Sequence, residues 1–182
     1  VSEFQRSYLH RKKNIYVIPN ALSRDFTSRL TPNISEAFKR KTILMLSSLS
    51  IHKGICQFIL LAQSMPQYKF NLVISDSICN INKFLAANKL SVPNNCHIFE
   101  RCPDTVDFYN NASIVVNLSI KEMVIETFGL TALEAMSAGL PVIVPTVGGI
   151  AEMVEDDYNG YKIDSTLLPV MKEKIDLMMT DQ

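Results

Sequence analysis

The chain has 182 residues, enough for one domain with a real core. Its 47% hydrophobic and 20% charged residues exclude a disordered segment. Eighteen Lys and Arg balance eighteen Asp and Glu, so no general field draws a polyanion, and nucleic acid is excluded as the main partner.

In chain order, Ile15–Ile18 (IYVI) reads as a strand, followed by a polar, proline-flanked linker, Pro19–Pro32. Apolar, β-branched runs then mark strands at Thr42–Leu46, Phe70–Ile74, His97–Phe99, Ile114–Leu118 and Pro141–Val144. Helical patterns fall at 53–65, 80–90, 104–111, 129–138, 148–155 and 167–179. Strand alternating with helix predicts an α/β fold, a Rossmann-like parallel sheet with helices on both faces. In such sheets ligands bind beyond the carboxyl ends of the strands. That rule selects the loops after Leu46, Ile74, Phe99, Leu118 and Val144.

No apolar run approaches the roughly 18 residues of a membrane span, and no signal peptide is visible. Cys56, Cys79, Cys96 and Cys102 form no C-x-x-C pair, and no His stands at ligand spacing, so zinc is not expected. They fall in apolar or helical stretches, which points to reduced thiols in the cytoplasm. An initial Val and a last helix that stops short point to a fragment.

Three loops carry unusual residues. ETFGLTALEAM places Glu126 and Glu134 either side of a glycine at the mouth of a predicted helix, where amides and the helix dipole favour an anion. Thr131 and Glu134 also have capping-box spacing, which by itself accounts for Glu134. SSLSIHKG sets Lys53 beside Gly54 after a strand, in reach of a phosphate or simply solvated. VGGIA puts Gly148 and Gly149 at a strand-to-helix turn, for close backbone approach to a ligand or for a tight turn. His10, His52 and His97 carry no catalytic signal, and His52 reads as solvated.

Together with VIPNALSRDF, LVISDS and ASIVVNLS, these blocks resemble, in order and over nearly the whole chain, the C-terminal donor-binding domain of retaining GT-B glycosyltransferases, family four. The core block continues through GLPVIVPTVGGIAEMVEDDYNGYKID and includes the E-x7-E pair. The resemblance implies one half of a GT-B fold. Residues 1–22 would end an N-terminal domain and link it to a donor-binding domain at 23–182 whose C-terminal helix is truncated. The ligand would be a nucleoside diphosphate sugar. Glu126 would face the donor sugar and Glu134 the ribose hydroxyls. The amides of Phe128, Gly129 and Leu130 would hold the diphosphate, and Lys53 would neutralise the leaving group. Gly148 and Gly149 would admit the donor sugar. No metal or other cofactor is implied. The acceptor, a glycan or lipid-linked glycan, would come through the missing domain, so the chain alone would bind nucleotide weakly and not catalyse transfer. Membrane contact is undetermined. The implied location is cytoplasmic, with the inner face of the cytoplasmic membrane as an alternative, and the implied setting is bacterial surface polysaccharide synthesis.

The chain departs from the family pattern at Ser47-Ser48, where Gly-Arg is usual. A bidentate cation is replaced by a neutral hydroxyl at Ser48, with Arg101 and Lys121 as candidates to compensate. Ser75-Asp76-Ser77 stands for the usual Gly-Asp-Gly, and extra residues after Ser119 make Glu122 a rival to Glu126. Two alternatives stay open: a non-catalytic nucleotide-sugar-binding module, and an enzyme like the nucleotide-sugar 2-epimerases, which lack the ETFGLTALEAM block. A nicotinamide-dependent dehydrogenase would need G-x-G-x-x-G after the first strand, which SSLSIHKG does not supply.

Overall fold

The computed structural model describes residues 2–10 and 14–180, so part of the expected 1–22 segment lies outside the described residues. Six parallel strands form one sheet: β1 Thr42–Ser47, β2 Lys69–Ile74, β3 Cys96–Phe99, β4 Ile114–Val116, β5 Val142–Val144 and β6 Gly160–Lys162. Their order across the sheet is β3-β2-β1-β4-β5-β6. The chain winds outward from β1 and then returns to lay β4 against the other side of β1. The strand order reverses between those two strands, and the crevice opened there is where this architecture accepts ligands.

The helices are α1 Glu3–Ser7, α2 Arg24–Ser28, α3 Ile34–Arg40, α4 Ile55–Ser64, α5 Ile78–Ala87, α6 Val106–Asn110, α7 Leu130–Ser137 and α8 Leu168–Thr180. They cover both faces of the sheet. Alternation along β1 sends Ile43 and Met45 to one core with α4 and α8, and Leu44 to the other with α3, α6 and α7. In α8, Met171, Ile175 and Met179 recur at helical spacing and bury against the first core. In α7, Ala132 and Ala135, with Ala138 at the C-cap, bury in the second, their small side chains letting the helix lie close to the sheet.

Four sequence expectations need correction. Ile15–Ile18 joins no sheet; Tyr16 and Ile18 are exposed, and a short apolar run is not by itself enough to make a strand. The stretch 148–155 forms only a tight turn at Ala151–Met153, because Val154 is already extended. The linker Pro19–Pro32 contains α2, whose N-terminus is capped by Ser23 Oγ accepting from Phe26 N. β6 was not expected: it has three residues, opens on Gly160, and owes its existence to pairing with β5. A Cβ at Gly160 would lie 2.0 Å from the Val142 carbonyl oxygen, so only glycine lets the two strands meet there.

Candidate functional site

β1 ends at Ser47, and the chain runs through Ser48 into a single tight turn, Ile51–Lys53, and only then into α4. Ser47 Oγ and Ser50 N both donate to the Ser48 carbonyl, at 2.8 and 2.9 Å, which curls the loop. Gly54 has φ +78°, and a Cβ there would lie 2.1 Å from the carbonyl oxygen of Leu118. Its lack of a side chain lets the β1–α4 loop press against the loop after β4. Ile120 N donates to His52 O at 2.8 Å and ties the same two loops. His52 is half-buried and bonds Ser50 Oγ through Nδ1 at 2.8 Å, so it is not the solvated histidine expected.

The consequence is that Lys53 Nζ donates to Glu126 Oε2 at 2.7 Å. Residues from the two sides of the switch point therefore meet across it. They share a cleft of about 360 Å³ at the strand ends, also lined by Ser48, Ser75, Arg101, Asn117, Ser119, Gly129 and Leu130. Glu126 is the one carboxylate among the lining residues, against two cations, Lys53 and Arg101. Glu122 is exposed and lies 3.8 Å from Lys121, outside the cleft lining.

The mouth of α7 opens beside this pair. Gly129 precedes the helix with no side-chain cap. Thr131 is therefore already helical, and the capping-box account of Glu134 fails. The Glu134 carboxylate instead accepts from the phenol of Tyr109 on α6. Burial raises the Glu134 carboxyl above its usual range, while the Tyr109 hydrogen bond pulls the other way. Burial, then the Glu134 charge, raises the Tyr109 phenol in turn. Phe26 packs edge-on to Tyr109 at 5.7 Å and fixes its ring. Sequence reading missed Tyr109; no spacing in the chain links it to Glu134, which follows 25 positions later.

Ser48, Lys53, Glu126, Gly129 and Leu130 line the cleft, whereas Phe128, Glu134, Gly148 and Gly149 are not among its lining. The two glycines pack behind the ETFG segment. A Cβ on Gly148 would stand 2.3 Å from Glu126 O, with φ at +102°, and one on Gly149 would stand 1.9 Å from Thr127 O. Lacking side chains, both glycines let this turn pack against the Glu126–Thr127 backbone. Ser2 Oγ donates to Thr127 O at 2.7 Å from the far end of the chain, a contact no sequence motif announces. Of the two candidate compensating cations, Arg101 lines the cleft, its guanidinium donating to Ser75 O at 3.3 Å. Lys121 is held by Asp164 at 2.7 Å, and that bond pulls the Asp164 carboxyl down to about 2. Among the described residues no group of three or more His, Cys, Asp or Glu side chains is arranged to hold a metal.

A doubly wound sheet with a Lys–Glu pair at its switch point, beside an uncapped helix mouth, is a Rossmann-like α/β domain with a polar cleft at its strand ends. By sequence the chain belongs to the glycosyl transferases group 1, whose family model matches residues 29–182. Lipopolysaccharide glucosyltransferase WaaG of Escherichia coli K12 is 27% identical over 168 residues, 86% of this chain and 44% of that protein. Among solved structures, a glycosyltransferase from Rickettsia africae ESF-5 matches with a TM-score of 0.79 at 20% identity, over 99% of this chain and 52% of that one. Anabaena Alr3699/HepE, in complex with UDP and glucose, matches with a TM-score of 0.67 at 23% identity, over 88% of this chain and 44% of that one. The chain thus spans about half the length of these proteins or less. The solved neighbours share the Rossmann-like fold of GT-B glycosyltransferases.

Proposed function

We propose that the cleft between β1 and β4 binds the diphosphate and sugar of a nucleoside diphosphate sugar, and that the full-length protein is a retaining family-four hexosyltransferase. The observation that carries this is the meeting of Lys53 and Glu126 at 2.7 Å across the switch point, beside the N-terminus of α7. In this reading Lys53 would face the departing diphosphate and Glu126 would accept from the sugar hydroxyls. The Phe128, Gly129 and Leu130 amides would take the phosphates, supplying with Lys53 the preorganised positive field that leaving-group departure needs. Charge neutralisation by these groups makes a divalent metal unnecessary in this scheme. Glu134, steadied by Tyr109, would receive the ribose diol through its second oxygen. Glu126 and Glu134 act here as hydrogen-bond acceptors and not as a nucleophile or a proton-transfer acid.

Support also comes from the Anabaena neighbour's complex with UDP and glucose, and from the Escherichia coli relative's name, which favours a bacterial surface glycan as the product. Ser48 favours one competing role, a nucleotide-sugar-binding module without transfer. The test is calorimetric titration with UDP, GDP, ADP and their glucose conjugates, with amide NMR on Lys53, Phe128–Leu130 and Glu134. A transfer assay on the full-length protein, reading the product anomer by NMR with and without EDTA, completes it. Binding of one nucleotide family, weakened by Glu134→Ala, with a retained anomer and no EDTA effect, is expected. Binding without transfer would leave the module, and an inverted product would refute retention.

A further inference from the structure

The Lys53–Glu126 pair also bears on which anions the cleft admits. The two side chains are 24% and 20% exposed, so solvent screens them less than a surface pair. Their loops are not free to drift apart: Ile120 N bonds His52 O, and Gly54 packs on the Leu118 carbonyl. Any anion that reaches Lys53 therefore meets a carboxylate already bonded to it. Displacing that carboxylate leaves a half-desolvated charge unpaired, and the incoming anion is repelled by it as well.

We propose that Glu126 is a specificity-determining group: an internal anion that withholds Lys53 from diphosphates lacking a sugar, and releases it to a ligand that also brings hydroxyl donors to the Glu126 carboxylate. This rests on the sugar-nucleotide reading of the cleft. A nucleoside diphosphate sugar compensates both partners at once, phosphate to Lys53 and sugar hydroxyls to Glu126. Inorganic pyrophosphate or a bare nucleoside diphosphate compensates only Lys53. Discrimination thus arises from a built-in repulsive element as much as from new attraction. The same competition acts after sugar transfer. Once the hydroxyls leave with the acceptor, Glu126 regains Lys53 and helps expel the nucleoside diphosphate.

The experiment uses the full-length protein as wild type, Glu126→Gln, Glu126→Asp and Lys53→Met. Each is titrated by calorimetry with pyrophosphate, UDP and UDP-glucose. In parallel, reductive methylation followed by mass spectrometry reads the labelling rate of Lys53 against the exposed Lys69. An ammonium engaged by a carboxylate must leave that partner before it reacts. Glu126→Gln is expected to label Lys53 faster, and to bind UDP and pyrophosphate roughly three- to tenfold more tightly. UDP-glucose gains less, because the amide keeps an acceptor oxygen but loses charge, so the ratio of UDP to UDP-glucose affinity rises. Glu126→Asp shifts both readouts in the same direction by less, and stands in if the glutamine variant does not fold. Lys53→Met removes the gain. Unchanged Lys53 labelling, or UDP and pyrophosphate affinities equal to or below wild type in both Glu126 variants, overturns the proposal. Faster labelling with no binding of any of the three ligands by any form would instead refute the sugar-nucleotide reading itself.

Discussion

Tyr109, 1% exposed, donates its phenolic hydrogen to the Glu134 carboxylate, joining α6 to α7. A desolvated carboxylate with one strong donor depends on that donor both for its charge and for its direction.

Removing the donor therefore has a predictable cost. Tyr109→Phe is expected to lose about 1.5–3 kcal/mol of stability at neutral pH, the usual range for a hydrogen bond to a charged group. In a Glu134→Gln background the same substitution costs less, since no charge is left unpaired. A double-mutant cycle by urea denaturation measures the coupling. A coupling near zero would mean the two groups do not interact in solution.

The raised Glu134 carboxyl sets a sign for pH dependence. Its folded-state pKa lies above the unfolded value, so the carboxyl's contribution to stability is fully present below the unfolded pKa. It is lost as pH rises through the folded pKa. Glu134→Gln is thus expected to be more stable than wild type at neutral pH. The advantage shrinks as the pH is lowered through the folded pKa toward the ordinary glutamate range. Thermal denaturation from pH 4 to pH 8 checks the crossover. Nucleotide binding should weaken in the same variant, the trade expected where a site keeps a costly group for function.

Arg101 and Lys121 separate cleanly. Arg101 lines the cleft, whereas Lys121 is spent on Asp164. Arg101→Ala is expected to weaken UDP binding by roughly fivefold to tenfold, the scale of losing one charge-assisted contact. Lys121→Ala leaves binding unchanged and raises the Asp164 carboxyl toward its ordinary value, which NMR titration of that side chain detects. Adding Ser48→Arg to Arg101→Ala should restore much of the lost affinity, because Ser48 lines the same cleft.

Gly148 tests the packing behind the Glu126–Gly129 loop. Ala at this position requires φ near +102° with a Cβ 2.3 Å from the Glu126 carbonyl, so the Glu126 segment must shift. Gly148→Ala is expected to lower stability by more than about 1 kcal/mol, the cost of forcing alanine into a positive-φ position. It should also weaken UDP-glucose more than UDP, because the displaced group is the one proposed to face the sugar. Equal losses for both ligands would show that the segment has no special part in sugar recognition.

Local patterns in the chain determined much of this molecule. Five of the six sheet strands are dense apolar runs, and such runs form wherever both faces of a parallel sheet are covered. Gly139, at φ +71°, ends α7 where the Gly-Leu-Pro sequence says it must. The ETFGLTALEAM and SSLSIHKG loops were legible for the same reason: they follow strands at the carboxyl edge, and Lys53 and Glu126 stand out in them. What depends on distant pairs was not legible. β6 exists only because β5 offers it an edge, and Ile15–Ile18, apolar as it is, is not one of the sheet strands. The Lys53–Glu126 bond, the Tyr109 hold on Glu134, the glycine pair seated under Glu126, and the choice of Arg101 over Lys121 all join segments far apart in the chain. Periodicity and spacing encode local conformation. Partners across a sheet are decided by strand order, and only the folded chain supplies that.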